Sequence, residues 1–513
     1  GAIHFQNGNL EKSVALIADA VRINPKIAAT DPYRGAALNQ LSRHHEALAA
    51  CDESLRLKPD FPEAHFNRGN ALYGLGRPAE ALESYDRAIA LRPNFAEAWS
   101  NRANALQGLK RFDEALASSD RAIALKPGYA PAWYNRGNAF YDLGRPDDAL
   151  ASYNRAVEYK PDYAQAWYNR GKTLHDLKRG DQALASYDKA VGLKPDYVQA
   201  WCNRGNVLND AERFEDAIAS YDKALALKSD YAEAWSNRGT ALQYLYRLDE
   251  ALACHDKAIA LNPDYAEAHC NRGSVLNCFK RLPEALHSFD RAIALKPDFA
   301  RAHFNKAITE LGLGDMPAGW GDFEWRLKIA EMSGTRVFPK PRLITRDEAK
   351  GRTVLVHFEH GFGDTIQFCR YLSLLHQAGA KILFHVQGKL KRMMATLGVP
   401  LEFVDLDDPA LVYDYHVPLM SLPLVFGTRV ESVPASPAYL SAEEELMAKW
   451  RQRLGGDGFK IGVCWQGNTS HLLGDRRCFP VSSFAPIAAL PGVRLISLQK
   501  DGRSDQLGTG LKI

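Results

Sequence analysis

Three ionisable side chains, Glu359, His360 and Asp364, flank the glycines Gly361 and Gly363 at a change of hydrophobic period. The β-branched apolar run before them predicts a buried strand, and the three- and four-residue spacing of apolar residues after them predicts a helix. Ligands of open α/β sheets bind beyond the carboxyl ends of the strands. The sequence therefore predicts that these side chains lie at a binding crevice, beside the amino terminus of a helix.

Asp364 is compatible with both a structural and a chemical role. With Gln367 three residues later it forms an Asp-x-x-Gln pattern, which predicts that Asp364 caps the helix. A capping carboxylate would still lie at the crevice, so the two roles can hold together.

Several common kinds of site are excluded around this turn. A dinucleotide fingerprint needs a third glycine, where this chain has Ile366, and an acid after the next strand, which ends at Gln387. His357, His360 and His385 are not spaced like a metal set. The chain has no Walker lysine motif and no Gly-x-Ser-x-Gly elbow. No metal and no dinucleotide cofactor are therefore expected.

Composition predicts an ordinary soluble protein of several domains. The chain has 513 residues, 46% hydrophobic and 24% charged, and its net charge of +3 is too small to predict nucleic-acid binding. Its eight cysteines include no Cys-x-x-Cys pair, so neither a disulfide framework nor a zinc site is indicated. No apolar run reaches the roughly 20 residues of a membrane span. These features predict a cytoplasmic protein.

The chain up to residue 331 repeats every 34 residues. Most units carry the phrase Ala-Trp-x-Asn-Arg-Gly, or a close variant such as one with His for Trp, and then a phrase of the type Glu-Ala-Leu-x-x-Tyr-Asp-Arg-Ala. This pattern resembles the tetratricopeptide repeat, in which each unit is two antiparallel helices. The predicted units begin at residues 28, 62, 96, 130, 164, 198, 232, 266 and 300. Such pairs stack into a right-handed solenoid with a long concave surface.

Both ends of this array are atypical. Gly1 aligns with the middle of a first helix, so the chain as given is expected to begin inside a repeat. At the other end, Trp320, Phe323 and Trp325 are predicted to lie in a second helix and to cap the solenoid.

One position of the first helix is asparagine in eight consecutive units. These residues are Asn67, Asn101, Asn135, Asn169, Asn203, Asn237, Asn271 and Asn305, and a second asparagine follows three residues later at Asn70, Asn104, Asn138 and Asn206. Because asparagine is a mediocre helix former, its recurrence needs an explanation. Repeat duplication of a harmless surface residue, with or without a bond to a neighbouring helix, is one. A ladder of amides that binds the backbone of an extended peptide is the other, and a resemblance to the superhelix of the O-linked N-acetylglucosamine transferase implies it.

A recurrent arginine and a recurrent aspartate accompany the asparagines. The arginines are Arg68, Arg102, Arg136, Arg170, Arg204, Arg238 and Arg272, and the aspartates are Asp86, Asp120, Asp188, Asp222, Asp256 and Asp290. Their near balance of charge favours mutual ion pairs over phosphate binding.

Residues 332–351, with two prolines and no sustained period, are predicted to link the solenoid to an α/β domain. Strands and helices alternate beyond them, which predicts a parallel sheet covered by helices. Strands are predicted at 353–358, 381–386, 401–404, 414–418, 459–465 and 493–498, and later helices at 390–397, 441–454 and 481–490. A first Rossmann-like half is predicted over 352–456 and the beginning of a second over 457–513.

Three phrases of this region, at residues 358–368, 418–423 and 461–468, resemble the catalytic region of bacterial tetratricopeptide-containing glycosyltransferases, which are similar to heptosyltransferases. The resemblance implies a GT-B fold, in which two Rossmann-like halves bind acceptor and nucleotide-sugar across a cleft. It implies that Asp364 is the catalytic base beside His360, although the family more often has Gln at the latter position.

The same resemblance implies where a nucleotide-sugar would bind. The implied contacts are Gly361, Gly363, Gln466, Asn468, Thr469, Ser470 and Arg477. The donor is a substrate, so no cofactor is implied. The later phosphate-binding segment of such families is missing, so the second half is truncated and the chain as given is expected to be inactive.

The resemblance implies a metal-independent glycosyltransferase that moves a sugar from a nucleotide-sugar to a protein or glycan, while the repeats bind an extended peptide or protein. The alternative is a non-enzymatic scaffold for protein interactions, whose α/β part only docks a partner.

Overall fold

The computed structural model describes residues 2–24, 33–329, 332, 336–359, 361–435, 438–456, 458–464 and 480–498. The chain divides into two compact units, Gly1–Leu313 and Gly314–Ile513. The first is called the solenoid below and the second the sheet domain.

The solenoid alternates the first and second helices of successive repeats. It begins with α1 (Ala2–Gln6), α2 (Leu10–Ile23), α3 (Tyr33–Gln40) and α4 (His44–Leu57). The later first helices are α5 (Pro62–Gly74), α7 (Ala96–Gly108), α9 (Ala130–Asp142), α11 (Ala164–Asp176), α13 (Val198–Asp210), α15 (Ala232–Tyr244), α17 (Ala266–Cys278) and α19 (Ala300–Leu313). The second helices are α6 (Pro78–Leu91), α8 (Phe112–Leu125), α10 (Pro146–Tyr159), α12 (Gly180–Leu193), α14 (Phe214–Leu227), α16 (Leu248–Leu261) and α18 (Leu282–Leu295). From α5 onward every first helix begins at the predicted residue, whereas the predicted start at residue 28 lies outside the described residues.

A tight turn at a fixed place separates the two helices of a repeat. After α5, Gly76 has a φ of +73°, and the backbone N–H of Arg77 donates to the carbonyl of Leu72 at 2.9 Å. This 6→1 bond satisfies a carbonyl at the helix end and reverses the chain. Arg77 then precedes the second helix and pairs with Glu80 at 2.6 and 2.7 Å. The predicted turn at this place is confirmed.

A glycine in the first helix allows the second helix to pack closely against it. A Cβ added at Gly69 would lie 2.5 Å from the ring of Tyr85, and one at Gly137 would lie 2.5 Å from the ring of Tyr153. Buried tyrosine hydroxyls need a partner. They donate to the second asparagine of the same repeat: Tyr85 to Asn70 at 2.9 Å, Tyr153 to Asn138 at 2.8 Å and Tyr221 to Asn206 at 2.9 Å.

First helices of neighbouring repeats lie closer to each other than second helices do. Helix α7 contacts α9, α9 contacts α11, and α15 contacts α17, while neighbouring second helices make fewer such contacts. The array therefore curves with its first helices on the inner side, and their exposed face is called the inner face below.

The sheet domain combines short helices with parallel strands. Its strands are β1 (Thr353–His357), β2 (Lys381–His385), β3 (Leu401–Phe403), β4 (Tyr415–Pro418), β5 (Phe459–Val463) and β6 (Val493–Ser497). Its α-helices are α20 (Met316–Phe323), α21 (Phe362–Phe368), α22 (Tyr371–Gln377), α23 (Lys391–Met394), α24 (Leu422–Val425), α25 (Glu444–Leu454) and α26 (Ala485–Ala488), and 3-10 turns lie at Glu324–Lys328, Arg346–Ala349, Gly388–Leu390, Ala395–Leu397, Leu419–Ser421, Val430–Ser432 and Val481–Phe484.

All strand pairs in the described part of this domain are parallel. One sheet has the order β3-β2-β1-β4, and the other pairs β5 with β6. In the first sheet, Val356 of β1 lies between Phe384 of β2 and Val417 of β4. The predicted parallel strands are therefore present, while the two-halved GT-B arrangement stays a prediction.

The helix after β1 differs from its prediction. Gly361, with extended backbone at φ −69° and ψ 170°, precedes the first helical residue, and no side chain caps α21. The prediction that Asp364 is the cap is therefore wrong, because the helix begins at Phe362 and Asp364 lies inside its first turn. The predicted single helix is also two, because α21 ends at Phe368 and α22 begins at Tyr371.

The second compact unit begins at Gly314, inside the stretch that was predicted to belong to the solenoid. Within this unit Trp320 packs with its ring edge-on to that of Phe368 at 6.2 Å, and its role as a cap of the solenoid stays a prediction. Part of the predicted linker is an ordered element of the same domain. The backbone amide of Leu343 donates to the carbonyl of His416 at 2.9 Å. The backbone amide of His416 donates to the carbonyl of Pro341 at 3.1 Å.

His255 is an exception among the ring residues of the second helices. It takes the place that tyrosine has in other repeats, and a Cβ at Gly239 would lie 2.7 Å from its ring. Both of its ring nitrogens are buried without a hydrogen-bond partner. Burial lowers the pKa of His255 from 6.5 to about 4.

Replacing His255 by Phe, the residue at the equivalent Phe289, should raise the melting temperature of the solenoid. An unsatisfied buried polar group costs about 1–3 kcal/mol. Because the folded pKa of His255 lies below the unfolded value of 6.5, its contribution to stability is present above that pH and is lost as the pH falls toward about 4. Melting followed by circular dichroism at about pH 7.5 and about pH 4.5 measures both effects, and the variant should lose less stability in acid. Equal pH dependence of the two proteins would contradict a buried, neutral His255.

Candidate functional site

The asparagines of the first helices bond to the preceding repeat. Nδ2 of Asn169 donates to the hydroxyl of Tyr134 at 3.1 Å and to Oδ1 of Asn138 at 2.9 Å. The other acceptors occupy the same two positions of the preceding first helix: Asn101 donates to Asn70, Asn135 to Ser100, Asn203 to Tyr168, Asn237 to Asn206, Asn271 to Ser236 and Thr240, and Asn305 to Cys270 and Ser274. These side chains therefore join neighbouring first helices, as one of the two sequence interpretations expects.

This bonding limits what the asparagine row offers to a peptide. Its amide donors are engaged within the solenoid, and Asn67 and Asn135 are buried. Peptide binding by the row therefore stays a prediction. Asn104, in the second row, differs because its side chain makes no hydrogen bond to another described residue. Its amide is available to a ligand.

A pocket of about 180 Å³ opens on the inner face between successive repeats. It is lined by Gln107, Asn138, Tyr141, Asp142, Tyr153, Asn169, Lys172 and Thr173. Members of both asparagine rows thus meet in one cavity. Its lining offers amides, a carboxylate and an ammonium group, which suit a hydrogen-bonding ligand.

The recurrent arginines pair with aspartates of the preceding repeat. Nε of Arg102 lies 2.6 Å from Oδ1 of Asp86, and its Nη1 donates to Ser118 at 2.6 Å. The same arrangement joins Arg68 to Asp52, Arg136 to Asp120, Arg204 to Asp188, Arg238 to Asp222 and Arg272 to Asp256. Arg170 instead donates a hydrogen bond to the neutral side chain of Asn154. The predicted ion pairing is confirmed.

The predicted crevice of the sheet domain lies at the carboxyl end of β1. Asp364 is partly exposed in the first turn of α21, and its carboxylate makes no hydrogen bond or ion pair to another described residue. Beside it, the hydroxyl of Thr365 donates to Oε1 of Gln387, which follows β2, at 3.0 Å. Gly361 and Gly363 are exposed at the same turn. Catalysis by Asp364 and donor contacts at the glycines stay predictions.

Six other predicted site residues cannot be placed in this crevice. His360, Gln466, Asn468, Thr469, Ser470 and Arg477 lie outside the described residues. Their assigned contacts to a nucleotide-sugar, and the catalytic assignment of His360, therefore remain predictions from the resemblance.

A buried ion network joins the ends of β1 and β4. Arg326 is fully buried, and its Nε and Nη2 donate to the two carboxylate oxygens of Glu359 at 3.1 and 2.9 Å. Nη2 also donates to the hydroxyl of Ser421 at 2.8 Å, and Nη1 pairs with Glu324 at 2.8 Å. Glu324 pairs in turn with Arg342 at 2.7 Å. Removing one member would leave an uncompensated buried charge, so Glu359 has a structural role.

Two histidines of adjacent strands pack together beside this network. Nδ1 of His416 and Nε2 of His357 are 3.4 Å apart, and the ring of Phe338 stacks on both. Burial, followed by the neighbouring His416, lowers the pKa of His357 to about 3. Burial, followed by Arg342, lowers the pKa of His416 to about 4. Both rings are therefore neutral at physiological pH and form part of the packed interior.

The described residues contain no group of three or more His, Cys, Asp or Glu side chains that could hold a metal ion. No helix within them is long and apolar enough to cross a membrane. Their cysteines, at positions 51, 202, 254, 270, 278, 369 and 464, are free thiols.

Family models match the solenoid over most of its length. Models described as tetratricopeptide or TPR repeats match residues 134–198 and 279–319, 62–95, 35–76, 205–245 and 247–276, and 94–162. The chain contains tetratricopeptide repeats. The repeat prediction is thereby confirmed. Among curated proteins, no match to the chain was found.

Solved structures of repeat proteins resemble parts of the chain. YrrB, described as a TPR protein with an unusual peptide-binding site, is 26% identical, with 36% of this chain and 96% of that chain covered and a TM-score of 0.34. The APC/C hetero-tetramer Cut9-Hcn1 is 18% identical over 54% of either chain, with a TM-score of 0.43. A tetratricopeptide repeat protein from Parabacteroides merdae is 17% identical, with 48% of this chain and 98% of that chain covered and a TM-score of 0.38. The resemblance of the later part of the chain to glycosyltransferases stays a prediction.

Sequence reasoning missed the buried partner of Glu359. Arg326 belongs to the aromatic stretch that was interpreted as the cap of the tetratricopeptide repeats. A single arginine inside a stretch rich in buried aromatics is itself a signal of a buried ion pair. Its partners Glu359 and Ser421, however, lie 33 and 95 residues further along the chain. Only the folded chain connects them.

Replacing Asn169 by Ala should destabilise the tetratricopeptide repeats, because the change removes two hydrogen bonds between repeats. At about 0.5–1.5 kcal/mol for each bond, the urea concentration at the unfolding midpoint should fall measurably. Asn104→Ala is the matched control, because it changes helix propensity equally and removes no hydrogen bond to a described residue. Equal midpoints for the two variants would show that Asn169 does not hold the repeats together.

Proposed function

We propose that this chain is a protein-binding scaffold whose tetratricopeptide repeats bind an extended polypeptide along their inner face. Helical repeats of this architecture present extended concave surfaces for binding. The observation that carries the proposal is the polar pocket of about 180 Å³ between repeats. The available amide of Asn104 lies in the equivalent row of the preceding repeat. These groups can hydrogen-bond a peptide backbone without reading its side chains.

The partner in this proposal is a peptide or protein segment without its own secondary structure at the contact. The free thiols support a reducing compartment such as the cytoplasm. The near balance of positive and negative charge, at a net +3, gives no reason to propose nucleic acid as the partner.

An array of defined synthetic peptides, probed with the full chain, tests this function. A subset of peptides should bind, and Asn104→Ala should weaken their binding about 2- to 10-fold, as the loss of one hydrogen bond predicts. Gln182→Ala is the matched control, because it removes an exposed amide from the second helix α12. Failure of every peptide to bind would overturn the scaffold proposal.

A second function, sugar transfer from a nucleotide-sugar to a protein or glycan, is favoured by one observation. Asp364 presents a carboxylate that no other described residue engages, at the strand end where parallel sheets bind ligands. In this proposal Asp364 takes the proton of the acceptor hydroxyl, with His360 beside it and residues 466–477 near the donor diphosphate. The enzyme would be a metal-independent glycosyltransferase of GT-B type.

In a protein that carries both complete Rossmann-like halves, Asp364→Asn should lower sugar transfer about 10²- to 10⁴-fold, because the amide cannot accept the proton. Its effect on melting should be small, since Asp364 is not the helix cap and its charge in the first turn contributes about 0.3–1 kcal/mol. Glu444→Gln, which removes a charge from the first turn of α25, is the matched control. Transfer is measured with a panel of nucleotide-sugars. Equal transfer by Asp364→Asn and the unmodified protein would exclude Asp364 as the base.

A further inference from the structure

Two arginines of a repeat pair with two acids in the middle of the solenoid. One arginine belongs to the first helix and pairs with an aspartate of the preceding repeat, and the other precedes the second helix and pairs with an acid three residues later. In the repeat that begins at residue 130 the pairs, both at 2.7 Å, are Arg136 with Asp120 and Arg145 with Asp148. In the repeat that begins at residue 198 the pairs, at 2.7 and 2.6 Å, are Arg204 with Asp188 and Arg213 with Asp216. Each of these repeats balances two positive charges with two negative charges.

The repeat between them, which begins at residue 164, has an amide in place of each acid. Nε of Arg170 donates to Oδ1 of Asn154 at 2.7 Å. Arg179 precedes α12, and the residue three positions later is Gln182. No described acid, including the adjacent Asp181, forms an ion pair with either arginine. This repeat therefore carries two positive charges where its neighbours carry a balanced set.

A serine hydroxyl joins the two arginine positions. Ser186 accepts from Nη1 of Arg170 and donates to the backbone carbonyl of Gln182 at 2.7 Å. Gln182 lies one helical turn after Arg179, at the spacing that forms an ion pair in the flanking repeats. The equivalent serines that make the same two bonds there are Ser152 and Ser220. The four side chains thus form one group, which is called the arginine–amide cluster and consists of Arg170, Arg179, Asn154 and Gln182.

The charge of this cluster is unfavourable in the chain by itself. Arg170 is half-buried, and burial, followed by the positive charge of Arg179, lowers its pKa. At the equivalent Arg238 burial acts in the same direction, yet the hydrogen bond to Asp222 raises the pKa. Placing a charge in a partly buried position without an opposite charge costs free energy. Stability therefore does not explain why both acids are replaced in the same repeat.

The donors of the cluster suit an anion with several oxygen atoms. Nη2 of Arg170 and the whole guanidinium of Arg179 make no hydrogen bond to a described residue, and neither do the amide nitrogens of Asn154 and Gln182. All members except Arg170 are exposed, so a solute can reach them. Guanidinium groups donate pairs of hydrogen bonds to phosphate and carboxylate. Two positive charges without a negative one favour a phosphate group, which carries about −1.5 to −2 charges at pH 7.

We propose that the arginine–amide cluster binds a phosphate group, either a free phosphate or one on a phosphorylated side chain of a polypeptide. The two guanidinium groups pair with the phosphate oxygens, and the two amide nitrogens donate to them. No member of the cluster lines the pocket on the inner face, so this site goes beyond the proposed scaffold function and does not depend on it. An unphosphorylated peptide has no group for the cluster, so Gln182→Ala remains a control for binding on the inner face.

The double variant Asn154→Asp, Gln182→Glu tests the site by restoring both acids. Thermal melting of the full chain is measured in sodium chloride and in sodium phosphate at equal ionic strength and about pH 7.5. Phosphate should raise the melting temperature of the unmodified chain more than that of the variant, because a ligand that binds only the folded state stabilises it. Phosphate also stabilises proteins by its exclusion from their surface, so the difference between the two proteins is the measured quantity.

The matched control is Asn94→Asp, Asn262→Asp, which makes the same change of net charge at exposed amides of other repeats. This control should respond to phosphate as the unmodified chain does. An equal response of all three proteins, or an equal loss of response in both double variants, would overturn the site.

Arg179→Gln tests the contribution of one guanidinium and the source of the phosphate. A fluorescent peptide with a single phosphoserine is compared with its unphosphorylated form and with inorganic phosphate. The variant should weaken binding of the phosphate-bearing ligand about 2- to 10-fold, because it removes one exposed charge-assisted contact. The matched control is Arg213→Gln, which removes the same charge at the equivalent position, where Asp216 already pairs with it.

The pattern of binding distinguishes the two sources. Tighter binding of the phosphoserine peptide than of its unphosphorylated form identifies a phosphorylated polypeptide as the ligand. A response to inorganic phosphate without that preference identifies a free phosphate. Equal effects of the two arginine variants, or no response to either form of phosphate, would overturn the inference and leave the scaffold function intact.

Discussion

The contact between first helices of successive repeats is the interaction on which the solenoid depends. A pair of helices cannot bury its apolar face alone, so each repeat must complete the core of the next. Asn138 shows how polar groups reinforce this contact, because its Oδ1 accepts both from Tyr153 in its own repeat and from Asn169 in the next. One amide thus connects three helices. The close packing of each ring on a glycine makes that geometry possible, since a Cβ at Gly137 would lie 2.5 Å from the Tyr153 ring.

Departures from these rules occur in several repeats. Lys172, Thr240 and Ser274 replace asparagine in the second row, His255 replaces a tyrosine, and Asn154 replaces an aspartate in the arginine pairs. Proteins tolerate local violations of packing and charge rules chiefly where function requires them.

The sheet domain depends instead on a buried ion network. Its network of Arg326, Glu324, Glu359 and Arg342 balances two positive and two negative side chains, one of them fully buried. Buried ion pairs add little net stability, but breaking one is costly, so such a network fixes one arrangement of the elements it joins. It holds the segment after α20 against the ends of β1 and β4. Asp364 lies on the helix that follows β1, where its carboxylate is left out of the network.

Local patterns in the sequence were enough to determine most elements of this protein. The 34-residue period predicted where each first helix begins from α5 onward, and alternating apolar runs predicted the parallel strands, because periodicity and turn residues act over a few neighbouring positions. Tertiary structure alone decided what the polar residues do. The acceptor of Asn169 lies 31 residues away, and one partner of Arg326 lies 95 residues away.

The helix start after β1 and the domain boundary were also decided by the fold. Gly361 rather than Asp364 precedes the helix, and Trp320 packs on Phe368 within the second unit. Catalysis at Asp364 stays a prediction from resemblance. Hydrogen bonds and burial depend on which segments, distant in sequence, come into contact in the folded chain. Local sequence patterns do not determine those contacts.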